Sequence, residues 1–136
     1  MKKHQKIIAF LLATLFVLTI SIVSVFAWDY DNTKTGSFGN TSNYETTFKF
    51  TDNSELRAYG RAYNANSSYT LRIAISAGVS YLSGGTAGGS DDGYFRMGNP
   101  GLADVIVYLD DYCEWAFAEY NLYENGVYIL TVGDSW

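Results

Sequence analysis

Polar and apolar residues alternate with period two over most of the chain after the first thirty or so positions. In Asn43–Thr51, Tyr44, Thr46, Phe48 and Phe50 share one face and Glu45, Thr47, Lys49 and Thr51 the other, the pattern of a half-buried strand. Asp52-Asn53-Ser54 is a turn, Glu55–Asn64 a second extended segment, and Asn64–Ser68 another turn. Tyr69, Leu71, Ile73, Ile75 and Ala77 line one face of a third strand. Gly78–Gly93 is rich in glycine and predicts a long irregular loop. Tyr94–Met97 reads as a short strand and Ala103–Leu109 as an apolar, central one. Tyr112–Leu122 reads as a strand with Cys113, Trp115 and Phe117 facing inward, and Ala116–Tyr120 also fits a short helix. Asn125-Gly126 between apolar runs predicts a type I′ hairpin turn, with Val127–Val132 as the returning strand.

Short strands at intervals of about ten residues, separated by turn signals, predict an all-β fold: one antiparallel β-sandwich or small barrel over residues 37–136. The expected core is Phe48, Phe50, Leu71, Ile73, Ile75, Val105, Val107, Trp115, Phe117 and Ile129.

The first 27 residues have a different character. Lys2, Lys3 and Lys6 form a basic start, Ile7–Phe26 is an apolar run, and Val25-Phe26-Ala27 suits cleavage after Ala27. The expectation is a signal peptide over 1–27 and a secreted or cell-surface domain over 28–136, with no stable membrane insertion after cleavage. An uncleaved anchor is the alternative, because twenty apolar residues can span a bilayer, and it places the domain on the same side. Removing 27 of 136 residues leaves 109, enough for a single domain with its own core. The formal charge of −5 becomes −8 once the three lysines are gone.

That domain has no histidine, because His4 lies in the export segment, and its single cysteine is Cys113. Catalytic pairs that need an imidazole and zinc sites built from Cys and His clusters are excluded. An acidic chain with dispersed cations is no nucleic-acid binder. The pairs Gly84-Gly85 and Gly88-Gly89 lack the helix and lysine of a phosphate-cradling loop, so no nucleotide cofactor is implied.

The candidate binding residues are Arg57, Tyr59, Arg61 and Tyr63, from the tandem Arg57-Ala-Tyr-Gly60 and Arg61-Ala-Tyr-Asn64. In a strand these four share a face at a spacing of about 6.8 Å, while Leu56, Ala58, Gly60 and Ala62 face the core. Exposed tyrosines stack on sugar rings, and guanidiniums fork onto carboxylates, phosphates or hydroxyls. The same face also fits a solvated ladder in which Arg and Tyr stabilise only the sheet. Asp91 and Asp92 beside the glycines suit weak calcium binding, and Asp110, Asp111 and Glu114 form a similar acidic cluster. Cys113, among acidic neighbours, reads as a buried, unreactive thiol.

Trp28 at the start of the mature chain, the triplet Ser42-Asn43-Tyr44 and the terminal Trp136 resemble the lactococcin 972-like bacteriocins over a few scattered residues, in a chain that is longer and more acidic. That resemblance implies a small secreted antimicrobial protein. The residues themselves point to a non-catalytic binding or adhesion module for an envelope glycan or a cell-surface protein. A small carboxylate-dependent enzyme is the third possibility, since any glycosidase needs only two facing acids.

Overall fold

The computed structural model describes residues 28–66, 68–95 and 99–136. The expected signal peptide, residues 1–27, lies outside the described residues. Among the described residues, eight strands run β1 (Tyr30–Phe38), β2 (Ser42–Thr51), β3 (Glu55–Tyr63), β4 (Leu71–Tyr81), β5 (Thr86–Phe95), β6 (Gly101–Tyr108), β7 (Cys113–Glu124) and β8 (Val127–Ser135). They form two antiparallel four-stranded sheets, ordered β1-β2-β3-β6 and β5-β4-β7-β8. The fold is a small β-sandwich, as the alternation predicts.

The two inner faces fit because one is small where the other is large. On β3 the inward residues are Leu56, Ala58, Gly60 and Ala62, all buried. A side chain at Gly60 would strike Ile73 and crowd Tyr120. The missing side chain lets Tyr120 of β7 cross the core and donate its hydroxyl to the Thr47 carbonyl of β2, at 2.7 Å. Phe48, Phe50, Leu71, Ile73, Ile75, Val105 and Val107 are buried as expected. Asn125 and Gly126 both take positive φ, 53° and 79°, which is the backbone a type I′ hairpin needs.

Polar side chains also join the layers around Asp134 and around Glu124. Asp134 on β8 accepts hydrogen bonds from the Tyr30 hydroxyl and Asn32 Nδ2 of β1, each at 2.7 Å, and pairs with Lys34 at 3.5 Å. At one end of the sandwich, buried Ser42 donates to Glu124 at 2.5 Å and accepts from Asn64 at 2.8 Å. Strand β1 begins before the expected boundary at residue 37, because Asn32 and Lys34 face this polar cluster instead of an apolar core. It therefore carries no apolar alternation.

Three expected core residues sit elsewhere. Trp115 is 48% exposed, Ile129 is 40% exposed, and Phe117 is half-buried on the outer face. All three misplacements have one kind of physical cause. Tyr81 pairs with Cys113 and Ser80 with Trp115, so Glu114 is an extra residue in β7. Leu122 pairs with Leu130 and Tyr123 with Tyr128, so Ile129 is an extra residue in β8. A bulge of one residue reverses which parity faces the core. Beyond Glu114 the inward positions are Ala116, Ala118, Tyr120 and Leu122.

The expected loop over Gly78–Gly93 is a hairpin. Strand β4 continues to Tyr81, a tight turn holds Gly84 and Gly85 at φ 90° and 97°, and β5 returns from Thr86. The short strand expected over Tyr94–Met97 is, at Tyr94 and Phe95, the end of β5. The glycines inside the pair are there for closeness: a Cβ on Gly88 would lie 2.9 Å from the Ala77 carbonyl oxygen. The helical alternative over Ala116–Tyr120 is overturned, since these residues lie inside β7.

Candidate functional site

The outer face of the β1-β2-β3-β6 sheet carries the ladder expected from the sequence. Arg57, Tyr59, Arg61 and Tyr63 all point outward, with Leu56, Ala58, Gly60 and Ala62 beneath them. The guanidiniums are occupied. Arg57 donates through Nε and Nη2 to the Asp104 carboxylate at 3.0 and 2.5 Å, and Arg61 Nη2 donates to Glu45 at 2.9 Å. These bonds hold both guanidiniums above their ordinary pKa. Arg61 also lies over the Tyr63 ring, 5.3 Å from its centroid. Lys49 pairs with Asp31 at 3.1 Å and sits 5.8 Å from the Trp28 centroid. Trp28, Thr47, Lys49, Arg57 and Tyr59 surround a shallow depression of about 410 Å³. The face is therefore aromatic, and each of its cations is paired with a carboxylate on a neighbouring strand.

The outer face of the other sheet holds a feature that sequence reasoning missed. Its rows follow from the register: Thr86, Ser80 and Trp115; Gly88, Gly78 and Phe117; Ser90, Ser76 and Glu119. The rows continue through Asp92, Ala74 and Asn121 to Tyr94, Arg72 and Tyr123. The floor over β4 and β5 is thus glycine, serine, threonine and alanine from Ser80 to Ala74 apart from Asp92, and it ends at Arg72 and Tyr94. Beside it stand Trp115 and Phe117, stacked at 4.9 Å with 20° between their planes. A Cβ at Gly78 would come within 3.1 Å of the Phe117 ring, so the glycine lets that ring lie low against the sheet.

Two depressions lie over β4 and β5 on this face, of about 490 Å³ beside Trp115 and Phe117 and about 530 Å³ toward Arg72 and Asn121. Both are bounded by Ser76 and Ser90, which lie directly opposite each other. At the far end Arg72 Nη2 contacts both Asp92 oxygens, at 3.0 and 2.9 Å, and the guanidinium lies 4.8 Å from the Tyr123 centroid and 5.8 Å from that of Tyr94. The hydrogen bonds to Asp92 raise the Arg72 pKa.

The candidate calcium ligands do not converge as the chain stands. Asp91 and Asp92 are consecutive in β5 and so point to opposite faces. Asp91 accepts the backbone N–H of Asp104 at 2.9 Å, tying β5 to the neighbouring edge strand β6, while Asp92 holds Arg72. In the second acidic cluster, Asp111 accepts the Tyr112 N–H at 2.8 Å, and hydrogen bonds from Ser83 and Tyr112 lower its pKa. Among the described residues, no group of three or more His, Cys, Asp or Glu side chains is placed to hold a metal ion. Cys113 is buried, and desolvation with Asp52 and Asp111 nearby pushes its thiol up to about 11.

The signal that would have found the aromatic pair was present in the sequence. Trp115 and Phe117 share parity with Glu119 and Asn121, and a strand face carrying Glu and Asn is a solvent face. Comparison with protein-family models, curated proteins and solved structures finds no match to this chain.

Proposed function

We propose that the domain is a non-catalytic extracellular binding module for a glycan, and that the outer face of the β5-β4-β7-β8 sheet is its principal binding surface. One observation carries the reading: a stacked Trp115–Phe117 pair stands in solvent beside a floor from which Gly78 and Gly88 omit side chains. Leaving an indole half in water forgoes burial that would stabilise the fold by roughly 2–3 kcal/mol, and an aromatic beside a concave, hydroxyl-lined floor is the usual means of docking a ring with apolar faces and polar edges. The extracellular setting rests on the basic and apolar N-terminal sequence.

The Arg57, Tyr59, Arg61, Tyr63 ladder is the second candidate surface. Its tyrosines are available, but the charges of its guanidiniums are offset by Asp104 and Glu45, which makes it the weaker candidate. A pull-down panel of insoluble polysaccharides and bacterial cell walls separates the two. Trp115→Ala should abolish retention, and Tyr59→Ala/Tyr63→Ala should leave it intact. Retention by Trp115→Ala at the wild-type level would remove this face from consideration. Loss in the tyrosine variant alone would move the site to the other sheet.

A further inference from the structure

The two depressions on the β5-β4-β7-β8 face meet at Ser76 and Ser90 without a side chain rising between them. We propose that they form one continuous trough, and that its ligand is a linear, uncharged polysaccharide lying along the strands and bound internally along its chain. This rests on the binding-module reading and adds the ligand's shape and charge.

Length is the first argument. From Ser80 to Arg72 the floor runs eight residues of β4, about 27 Å, far longer than any single sugar ring. A pocket for a monosaccharide or a chain end would need walls closing it, and the trough is open between its aromatic and polar halves.

Charge is the second. The floor hydroxyls of Ser76, Ser80, Thr86 and Ser90 are neutral and both donate and accept, which suits a partner made of hydroxyls. Among the described residues the cation in the trough is Arg72, and its pairing with Asp92 offsets its charge toward a uronic acid or phosphate. Glu119 stands on the middle row and repels an acidic chain. A net charge of −8 over the domain acts in the same direction. The floor backbone of β4 is committed to ladders on both sides, so it does not recruit a peptide strand.

The test is titration calorimetry with β-1,4-linked glucose and N-acetylglucosamine oligomers of two to six units, with polygalacturonate as the acidic comparison. Affinity for one neutral series should rise at least about tenfold from the shortest to the longest member. The variant Ser76→Ile/Ser90→Ile raises a ridge across the junction from two strand-favouring residues on exposed positions. It should bind the longest oligomer no more tightly than wild type binds the shorter ones. A disaccharide that binds as well as the hexamer, an unaltered hexamer affinity in the ridge variant, or tighter binding of polygalacturonate would each overturn the proposal. If no oligomer binds while an insoluble polymer is still retained through Trp115, the trough proposal fails and the binding-module reading stands. If nothing is retained by wild type, both fail.

Discussion

Deleting Glu114 should leave the sandwich standing, whereas deleting Glu119 in the same strand should unfold it. Glu114 is the residue of β7 that no residue of β4 faces, since Tyr81 pairs with Cys113 and Ser80 with Trp115. Its removal joins two residues whose partners are already adjacent in β4. Cys113 stays inward, Trp115 stays outward and the ladder becomes regular. The change in stability should be within about 1 kcal/mol, as for other exposed positions outside the core. Glu119 sits within a regular ladder opposite Ser76. Its deletion forces one half of β7 to reverse its faces. If the C-terminal half reverses, Tyr120 and Leu122 leave the core, at roughly 1.5–3 kcal/mol each. The bond from Tyr120 to the Thr47 carbonyl goes too, at about 1 kcal/mol. A total loss of about 4–7 kcal/mol rivals the whole stability of a domain this size. Urea unfolding followed by tryptophan fluorescence measures both variants against wild type. A Glu114 deletion that loses more than about 3 kcal/mol, or a Glu119 deletion that folds normally, would refute the assignment of the bulge and with it the outward placement of Trp115.

Two further perturbations probe the interior. Tyr120→Phe keeps the ring and removes only the hydroxyl that reaches the Thr47 carbonyl across the layers; the urea midpoint should fall by the equivalent of about 1 kcal/mol, and an unchanged midpoint would show that bond to be of no consequence. Cys113 stays protonated in the folded protein up to about pH 11, while an unfolded thiol ionises near its ordinary value of 9.0, so the thiol's contribution to stability is intact below pH 9 and is lost as pH rises from there through 11. Unfolding midpoints across that window should fall less steeply in Cys113→Ala than in wild type, and parallel slopes would remove the thiol from the account.

The strand faces that local alternation specifies are those where one face packs and the other is solvated without interruption. In β2 and β3 the sequence alone placed Phe48, Phe50, Leu56 and Ala58 inward and Arg57, Tyr59, Arg61 and Tyr63 outward, because a strand turns by half a revolution per residue and burial selects the parity. The Asn125-Gly126 turn was equally local, resting on two residues that tolerate positive φ. Tertiary structure decided what depends on partners distant in the chain. The bulges at Glu114 and Ile129 exist in the register between β7 and its two neighbours; the parity that Trp115 and Phe117 share with Glu119 and Asn121 was legible, but only the extra residue at Glu114 reconciles it with an inward Cys113. The glycine-rich segment became a strand because β4 lies beside it, close enough to exclude a Cβ at Gly88. Whether Arg57 and Arg61 are free cations was settled by Asp104 and Glu45, each on a neighbouring strand. Composition could count those charges, but only the pairing of strands determined which of them meet.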